Sequence, residues 1–169
     1  MTDTTPPDAS RDPERIEGRA AFAAAALELA SSAQLALRLL SFDFDRALYG
    51  DEAFVDQIKR LALSNERARI RVLINQPKAA MRSAHRFIEL GRRLPSRIEF
   101  RELPEDLMIG ERGDALIIDH QGLLERSEPG ALVARLQREA PLLARAAAQR
   151  FDELWEQSSG CTEFRSLGL

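Results

Sequence analysis

The feature that most constrains the fold is an alternation of short apolar segments with longer amphipathic ones. Residues 34–42 and 115–119 are nearly continuous apolar runs, which favour buried strands, and residues 69–74 alternate in polarity. Residues 51–62 and 79–94 carry apolar side chains at helical spacing. This order predicts an α/β fold, with a mixed, largely parallel sheet flanked by helices on both faces.

Further segments complete the predicted domain. An alanine-rich helix is expected over residues 16–31, strands over 97–103 and, at an edge of the sheet, 132–136, and a tight turn at residues 120–122 that makes a hairpin. Pro141 opens a last helix. Its expected buried face consists of Leu143, Ala147, Phe151, Leu154 and Trp155. Residues 1–14, rich in proline and small polar residues, predict a flexible tail, and residues 15–169 a single domain.

Length and composition exclude several classes of protein. The 169 residues suffice for one core and are too few for two comfortable domains. A formal net charge of −3 makes nucleic acid an unfavourable partner. Cys161 is the only cysteine, which excludes an internal disulfide and a zinc site built from cysteines. The start lacks a signal-peptide pattern and no apolar run approaches membrane-spanning length, so we expect a cytoplasmic protein without a membrane segment.

Known catalytic and nucleotide-binding motifs are missing. The sequence contains neither G-x-x-x-x-G-K-[ST] nor G-x-G-x-x-G, and it lacks the G-x-S-x-G nucleophile turn. The two histidines, His85 and His120, lie on different predicted elements without ligand-like spacing. We therefore expect no metal and no cofactor.

Polar residues at the carboxyl ends of the strands are the candidate ligand-binding residues, because open α/β sheets bind ligands there. They are Ser41, Asp43, Asn75, Asp119 and His120. Helix capping or turn formation is the alternative role for Asp43. Asp119, at the end of an apolar strand, is the better functional candidate.

A second candidate surface is basic. Apart from Lys59 and Lys78, every basic residue is an arginine, which reflects either a GC-rich genome or the binding of anions by guanidinium groups. The third predicted helix concentrates these charges. Its candidate anion or partner surface comprises Arg82, His85, Arg86 and Arg93. A solvated helix face is the alternative.

The pattern of residues 35–101 resembles one half of the phospholipase D-like superfamily. The motifs are S-x-D from residue 41, L-Y-G-D from residue 48, I-R-V-L-I from residue 70 and S-A-H-R from residue 83. More narrowly, G-R-R-L-P-S-R-I from residue 91 and F-D-E-L-W-E from residue 151 resemble a bacterial family of unknown function. Members of that family stand alone or follow an N-acetyltransferase domain.

The resemblance implies the fold of the phospholipase D-like superfamily, but the residues of its catalytic motif are missing. Active members of the superfamily carry H-x-K-x-x-x-x-D followed by G-S-x-N; their histidine attacks phosphorus and their lysine binds the phosphoryl group. Counted back from Asp119, those positions hold Arg112 and Asp114, and G-S-x-N becomes R-S-E-P from residue 126. Arginine cannot be the nucleophile and aspartate repels phosphate. Arg112 and Ser127 therefore join the candidates for ligand binding only.

Three hypotheses follow. The leading one is a non-catalytic phospholipase D-like domain that binds a ligand or a partner, with a homodimer as one form of partner. The second is an enzyme that holds a small anionic substrate between Asp119, His120, Arg112 and Ser41. The third, from the resemblance alone, is a regulatory partner of an acetyltransferase.

Overall fold

The computed structural model describes residues 12–82 and 86–164, which build one sheet with helices on both faces. The strands are β1 Glu14–Glu17, β2 Ala36–Ser41, β3 Arg69–Ile74, β4 Ile98–Glu102, β5 Asp114–Ile118, β6 Gly122–Arg126, β7 Val133–Gln137 and β8 Ser159–Gly160. The helices are α1 Arg19–Ser32, α2 Arg46–Tyr49, α3 Glu52–Ser64, α4 Pro77–Met81, α5 Arg86–Arg93, α6 Glu105–Met108 and α7 Pro141–Gln157. The strand order is β1-β7-β6-β5-β2-β3-β4-β8.

The predicted α/β fold with a mixed sheet is confirmed, but its parallel part is smaller than expected. Strand β3 runs parallel to both of its neighbours, β2 and β4. The other neighbouring pairs are antiparallel. A parallel β5 would need a crossover back to the opposite end of the sheet. The connection from β4 contains only the one-turn helix α6, so β5 enters at the end where β4 leaves.

The two faces of the sheet bury separate apolar cores. Helices α1, α3 and α5 cover one face, and Phe54, Ile58 and Leu61 of α3 are buried there at helical spacing. Helix α7 covers the other face through Phe151, Leu154 and Trp155. The Asp51 carboxylate caps α3 by accepting a hydrogen bond from the amide of Ala53, as an N-cap does.

The beginning of the described chain differs from the prediction. Instead of a tail to residue 14 and a helix from residue 16, Glu14–Glu17 forms an edge strand that pairs antiparallel with β7. Strand β7 is therefore interior to the sheet and is not an edge strand. Gly18, at φ 88°, breaks the strand before α1 begins. The remainder of the predicted tail, residues 1–11, lies outside the described residues.

Two predicted helices are also revised. In place of one helix over residues 79–94 there are α4 and α5, and the part between them, residues 83–85, lies outside the described chain. Helix α7 begins at Pro141 as predicted, but it turns Ala144 and Ala148 inward while Leu143 remains 49% exposed. None of the helices in the described ranges combines the length and apolar character that a bilayer crossing needs.

Candidate functional site

A buried ion pair occupies the end of the sheet where β2 and β3 finish. Strand register places Asp114 of β5 opposite Arg126 of β6. The Nη2 and Nε atoms of Arg126 lie 2.5 and 2.7 Å from Oδ2 of Asp114. The two side chains are only 7% and 1% exposed. At this depth the attraction between the charges is screened much less than at the surface.

The second carboxylate oxygen of Asp114 and one face of the Arg126 guanidinium also make contacts. Oδ1 of Asp114 accepts a hydrogen bond from the amide of Phe42, just after β2, at 2.9 Å. The guanidinium of Arg126 lies over the ring of Phe22 in α1, 4.7 Å from its centroid. Arg126 thus has its charge neutralised by Asp114 and one face covered by an aromatic ring, which leaves little of it to bind an external anion.

The buried Oδ1 of Asp43, beside this pair, has no hydrogen-bond partner within the described residues. The buried Oη of Tyr49 lies beside Asp114 and interacts with its carboxylate. Burial, followed by the negative charges of Asp114 and Asp45, raises the pKa of the Asp43 carboxyl above its usual 3.8. Burial and the charge of Asp114 also raise the pKa of the Tyr49 hydroxyl well above 10. The site is therefore a buried cluster of charged groups in which one arginine opposes two aspartates.

Ser41 and Asn75 lie at this end of the sheet as predicted, but the hydrogen bonds they make are structural. Ser41 is buried, and its Oγ accepts a hydrogen bond from the amide of Phe44, whose φ of 49° forms the turn after β2. The Nδ2 group of Asn75 donates to the carbonyls of Met108 and Glu111, each at 2.7 Å. Asn75 therefore holds the loop before β5 against the end of β3.

Arg112 and Ser127 are on the outer side of the same end. The Arg112 guanidinium forms an exposed ion pair with Glu128 at 3.2 Å and lies over the ring of Phe42, 5.0 Å from its centroid. Ser127 is exposed, and its backbone carbonyl lies against Gly113, where an added Cβ would come within 3.1 Å. At this end of the sheet, Arg112 and Ser127 are the candidate residues that are exposed to solvent.

Asp119 and His120 are not part of this site, and the expectation that they converge with Ser41 and Arg112 is wrong. Because β5 is antiparallel to β2, its carboxyl end lies at the beginning of β2. Asp119 accepts hydrogen bonds there from the backbone amides of residues 34–36. Five residues of strand, about 17 Å at 3.3 Å per residue, separate that position from Ser41.

The two residues form the hairpin turn between β5 and β6. Both Asp119 and His120 have positive φ angles, 48° and 56°, and together with Gln121 they form the three-residue loop between the paired Ile118 and Gly122. His120 is exposed and borders an open depression beside Arg145 and Asp152. The carboxylate of Asp119 is committed to the backbone and does not border that depression.

The basic surface predicted on the third helix is exposed but does not form a cluster of unpaired charge. Arg82, Arg86 and Arg93 are all exposed, and Arg86 forms an ion pair with Glu52 at 3.2 Å. His85 lies outside the described residues. Nothing in the described geometry distinguishes this surface from a solvated helix face.

A second group of titratable residues, not predicted from the sequence, lies beside β4 and β8. Ligand atoms of Glu102, Cys161 and Glu163 all lie within 4.8 Å of one another. Burial, and then the charges of the two glutamates, raises the pKa of the Cys161 thiol to about 12. A thiol must lose its proton to bind a metal, so this environment opposes metal binding through Cys161.

The pairing of Asp114 with Arg126 can be predicted from the sequence only if the loop of the hairpin is assigned to the correct residues. The two residues stand at equal distances on either side of position 120, so a three-residue loop at 119–121 makes them cross-strand partners. The turn predicted from the sequence, at residues 120–122, lies one residue later and would set Asp114 opposite Glu128 instead.

The fold is similar to that of phospholipase D family proteins. Nuc from Salmonella typhimurium, a phospholipase D family member, superposes with a TM-score of 0.60 at 15% identity, over 89% of this chain and 99% of that one. NucT from Helicobacter pylori superposes at 0.61 and 12% identity, over 88% and 98%. TrmBL2, an archaeal chromatin protein, gives 0.66 and 15% over 94% of this chain, which spans 56% of TrmBL2.

The chain belongs to the family described as a domain of unknown function (DUF7931), whose model matches residues 18–167. No curated protein is a significant match to the sequence. The identities to the solved structures are low enough that they support the fold alone.

Proposed function

We propose that this chain is a degenerate, non-catalytic phospholipase D-like domain that binds a ligand or a partner. The observation that carries the proposal is the buried Asp114–Arg126 ion pair. By the resemblance to phospholipase D-like proteins, Arg112 occupies the position of the nucleophilic histidine of the active members. Asp114 occupies the position of their phosphate-binding lysine. A carboxylate at this position repels a phosphate and already neutralises the nearest buried guanidinium.

Hydrolysis of bis(p-nitrophenyl) phosphate and of phosphatidylcholine vesicles tests the loss of catalysis. The wild-type chain should release no more product than buffer, and R112A should be indistinguishable from it. Hydrolysis that disappears in R112A or D114A would overturn the proposal, because it would place chemistry at the substituted positions.

Rescue by small anions tests the internal neutralisation separately. In D114A the guanidinium of Arg126 loses its partner, so formate or inorganic phosphate should raise the melting temperature of the variant and leave that of the wild type nearly unchanged. An equal rise in both proteins would mean that Asp114 does not occupy an anion site.

The alternative enzyme built on Asp119, His120, Arg112 and Ser41 is disfavoured by the distance between the two ends of the sheet. The candidate partners remain a second copy of the chain, a small anionic ligand and an acetyltransferase, the last from the resemblance alone. Light scattering over a range of concentrations tests for association with a second copy. A pull-down against an acetyltransferase of the same organism tests for that partner. With a single, buried cysteine, the cytoplasm remains the location that we propose.

A further inference from the structure

A cleft lies on the α7 face of the sheet, between that helix and strands β5, β6 and β7. Its volume is about 700 Å³, within the roughly 300–1,000 Å³ of small-molecule sites. Its apolar lining comes from both the sheet and the helix: Leu40, Ala115, Ile117, Val133, Ala147, Phe151 and Leu154. Such a lining can receive the apolar body of a ligand.

The mouth of the cleft exposes apolar side chains next to this lining. Leu132 is 73% exposed and Val133 is 38% exposed, and both border the cleft. Exposed apolar side chains are common singly, but here they continue an apolar concavity. Water in contact with this surface would be released by an apolar ligand, which favours binding.

Two opposite charges face the cleft without being bonded to each other. Strand register places Glu125 of β6 opposite Arg135 of β7. In residues 12–82 and 86–164 neither side chain forms an ion pair within 4.0 Å or a side-chain hydrogen bond. At the rim, by contrast, Glu111 and Arg150 pair with each other and cancel.

The state of Glu125 agrees with its lack of a bonded partner. Burial raises the pKa of its carboxyl, and the charge of Arg135 lowers it by a smaller amount. A ligand atom that donates a hydrogen bond or carries positive charge would relieve this cost. The neighbouring guanidinium would favour an acceptor or an anionic atom beside it.

We propose that this cleft binds a small amphipathic molecule of no net charge. Its apolar body lies against the partly exposed Ala115, Val133 and Ala147, and its head group places a cationic or donating atom at Glu125 and an anionic or accepting atom at Arg135. A ligand with net negative charge would be opposed by Glu125, and one with net positive charge by Arg135. The inference rests on the proposed ligand-binding function, and it replaces the small anionic ligand named there with an amphipathic molecule of no net charge.

Four decyl compounds that differ only in head group, used below their micelle concentrations, test this inference by displacement of Nile red and by calorimetry. They are the zwitterion N-decyl-N,N-dimethylglycine, the uncharged decyl maltoside, the anion decanoate and the cation decyltrimethylammonium. The zwitterion or the uncharged compound should bind at least about tenfold more tightly than either ion. Comparison of the zwitterion with decyl maltoside shows whether the site prefers a charged or a hydroxyl-bearing head group. Preference for decanoate or for the cation, or no binding of any compound, would overturn the proposal.

Two tryptophan substitutions on α7 locate the binding. Ala147 borders the cleft, whereas Ala146 is exposed and does not. A147W should weaken binding by about tenfold or more, and A146W should leave it unchanged. Equal affinities in the two variants, with both shown to be folded by circular dichroism, would place the binding elsewhere.

Charge variants of Glu125 and Arg135, whose side chains are both exposed, test the head group without disturbing the core. E125Q should increase the affinity for decanoate relative to the cation, and R135Q should do the reverse. If neither variant changes the order of affinities, the head group does not contact these residues. Failure here leaves the phosphodiesterase and anion-rescue results unaffected, so the two proposals fail separately.

Discussion

The Nη2 atom of Arg126 lies 2.5 Å from Oδ2 of Asp114, and both side chains are almost completely buried. The pair joins the first and last residues of the β5–β6 hairpin, and through the amide of Phe42 it also holds the end of β2. One ion pair therefore connects three strands at this end of the sheet.

Removing either member of this pair should destabilise the fold strongly. D114A and R126M should each lower the free energy of unfolding by about 3–5 kcal/mol, because each leaves an uncompensated buried charge. The double variant D114L/R126M should lose less than the sum of the two single losses. Urea unfolding of the three variants gives the coupling energy, and strictly additive losses would contradict a direct interaction.

The strands and helices with strong local patterns could be predicted from sequence. The alternation of residues 69–74, the cap at Asp51 and the start of the last helix at Pro141 are encoded by nearby side chains. Strand β1 could not be predicted in this way. Only Ile16 among its four residues is buried, and the strand exists because β7 offers backbone partners.

The candidate site was predicted in part, because local patterns do not encode strand direction. Ser41, Asp43 and Asn75 follow parallel strands and do share one end of the sheet. Asp119 follows a strand of equally apolar character, but β5 runs the other way, so Asp119 lies at the opposite end. The pairing of β5 with β2 joins residues about 80 positions apart, and no nearby residue specifies its direction.

Asp43 should make stability depend on pH. Its pKa is raised in the folded chain, so folded protein holds this proton more tightly, and the ionised carboxylate costs stability as the pH rises through the raised pKa. D43N should therefore be more stable than wild type at pH 7, by up to about 1 kcal/mol after allowance for solvent screening. The advantage should shrink below pH 3.8, the ordinary carboxyl value.

Urea unfolding at pH 7 and at a pH below 3.8 measures the difference in stability between D43N and the wild type. D56N, which changes an exposed aspartate of α3, is the matched control and should have little effect at either pH. An advantage of D43N that is constant with pH would show that the amide acts through shape or hydrogen bonding and not through the carboxyl proton.

Cys161 should be inert toward thiol reagents in the folded protein. It is only 3% exposed, and burial raises its thiol pKa to about 12, so the reactive thiolate is scarce at pH 8. Labelling by dithiobis(nitrobenzoate) should be negligible in buffer and complete in concentrated urea. The double variant C161S/S127C, with its thiol at an exposed position, should react rapidly when folded. Fast labelling of the folded wild type would contradict the buried placement.

Asp119 should contribute to stability and not to any reaction. Its carboxylate accepts hydrogen bonds from the amides of Gln34, Leu35 and Ala36, at 2.7, 2.9 and 2.7 Å, and so fixes the hairpin turn to the beginning of β2. D119N tolerates the positive φ but loses the charge and one acceptor, which should cost about 1–2 kcal/mol. D119A also adds backbone strain and should cost about 3 kcal/mol.

H120N supplies the control for this turn, because His120 is exposed and asparagine accepts its φ of 56°. It should change the free energy of unfolding by less than about 0.5 kcal/mol. Urea unfolding of D119N, D119A and H120N checks this order. If D119N were as stable as the wild type, the three amide contacts would contribute nothing, and Asp119 would again need a functional explanation.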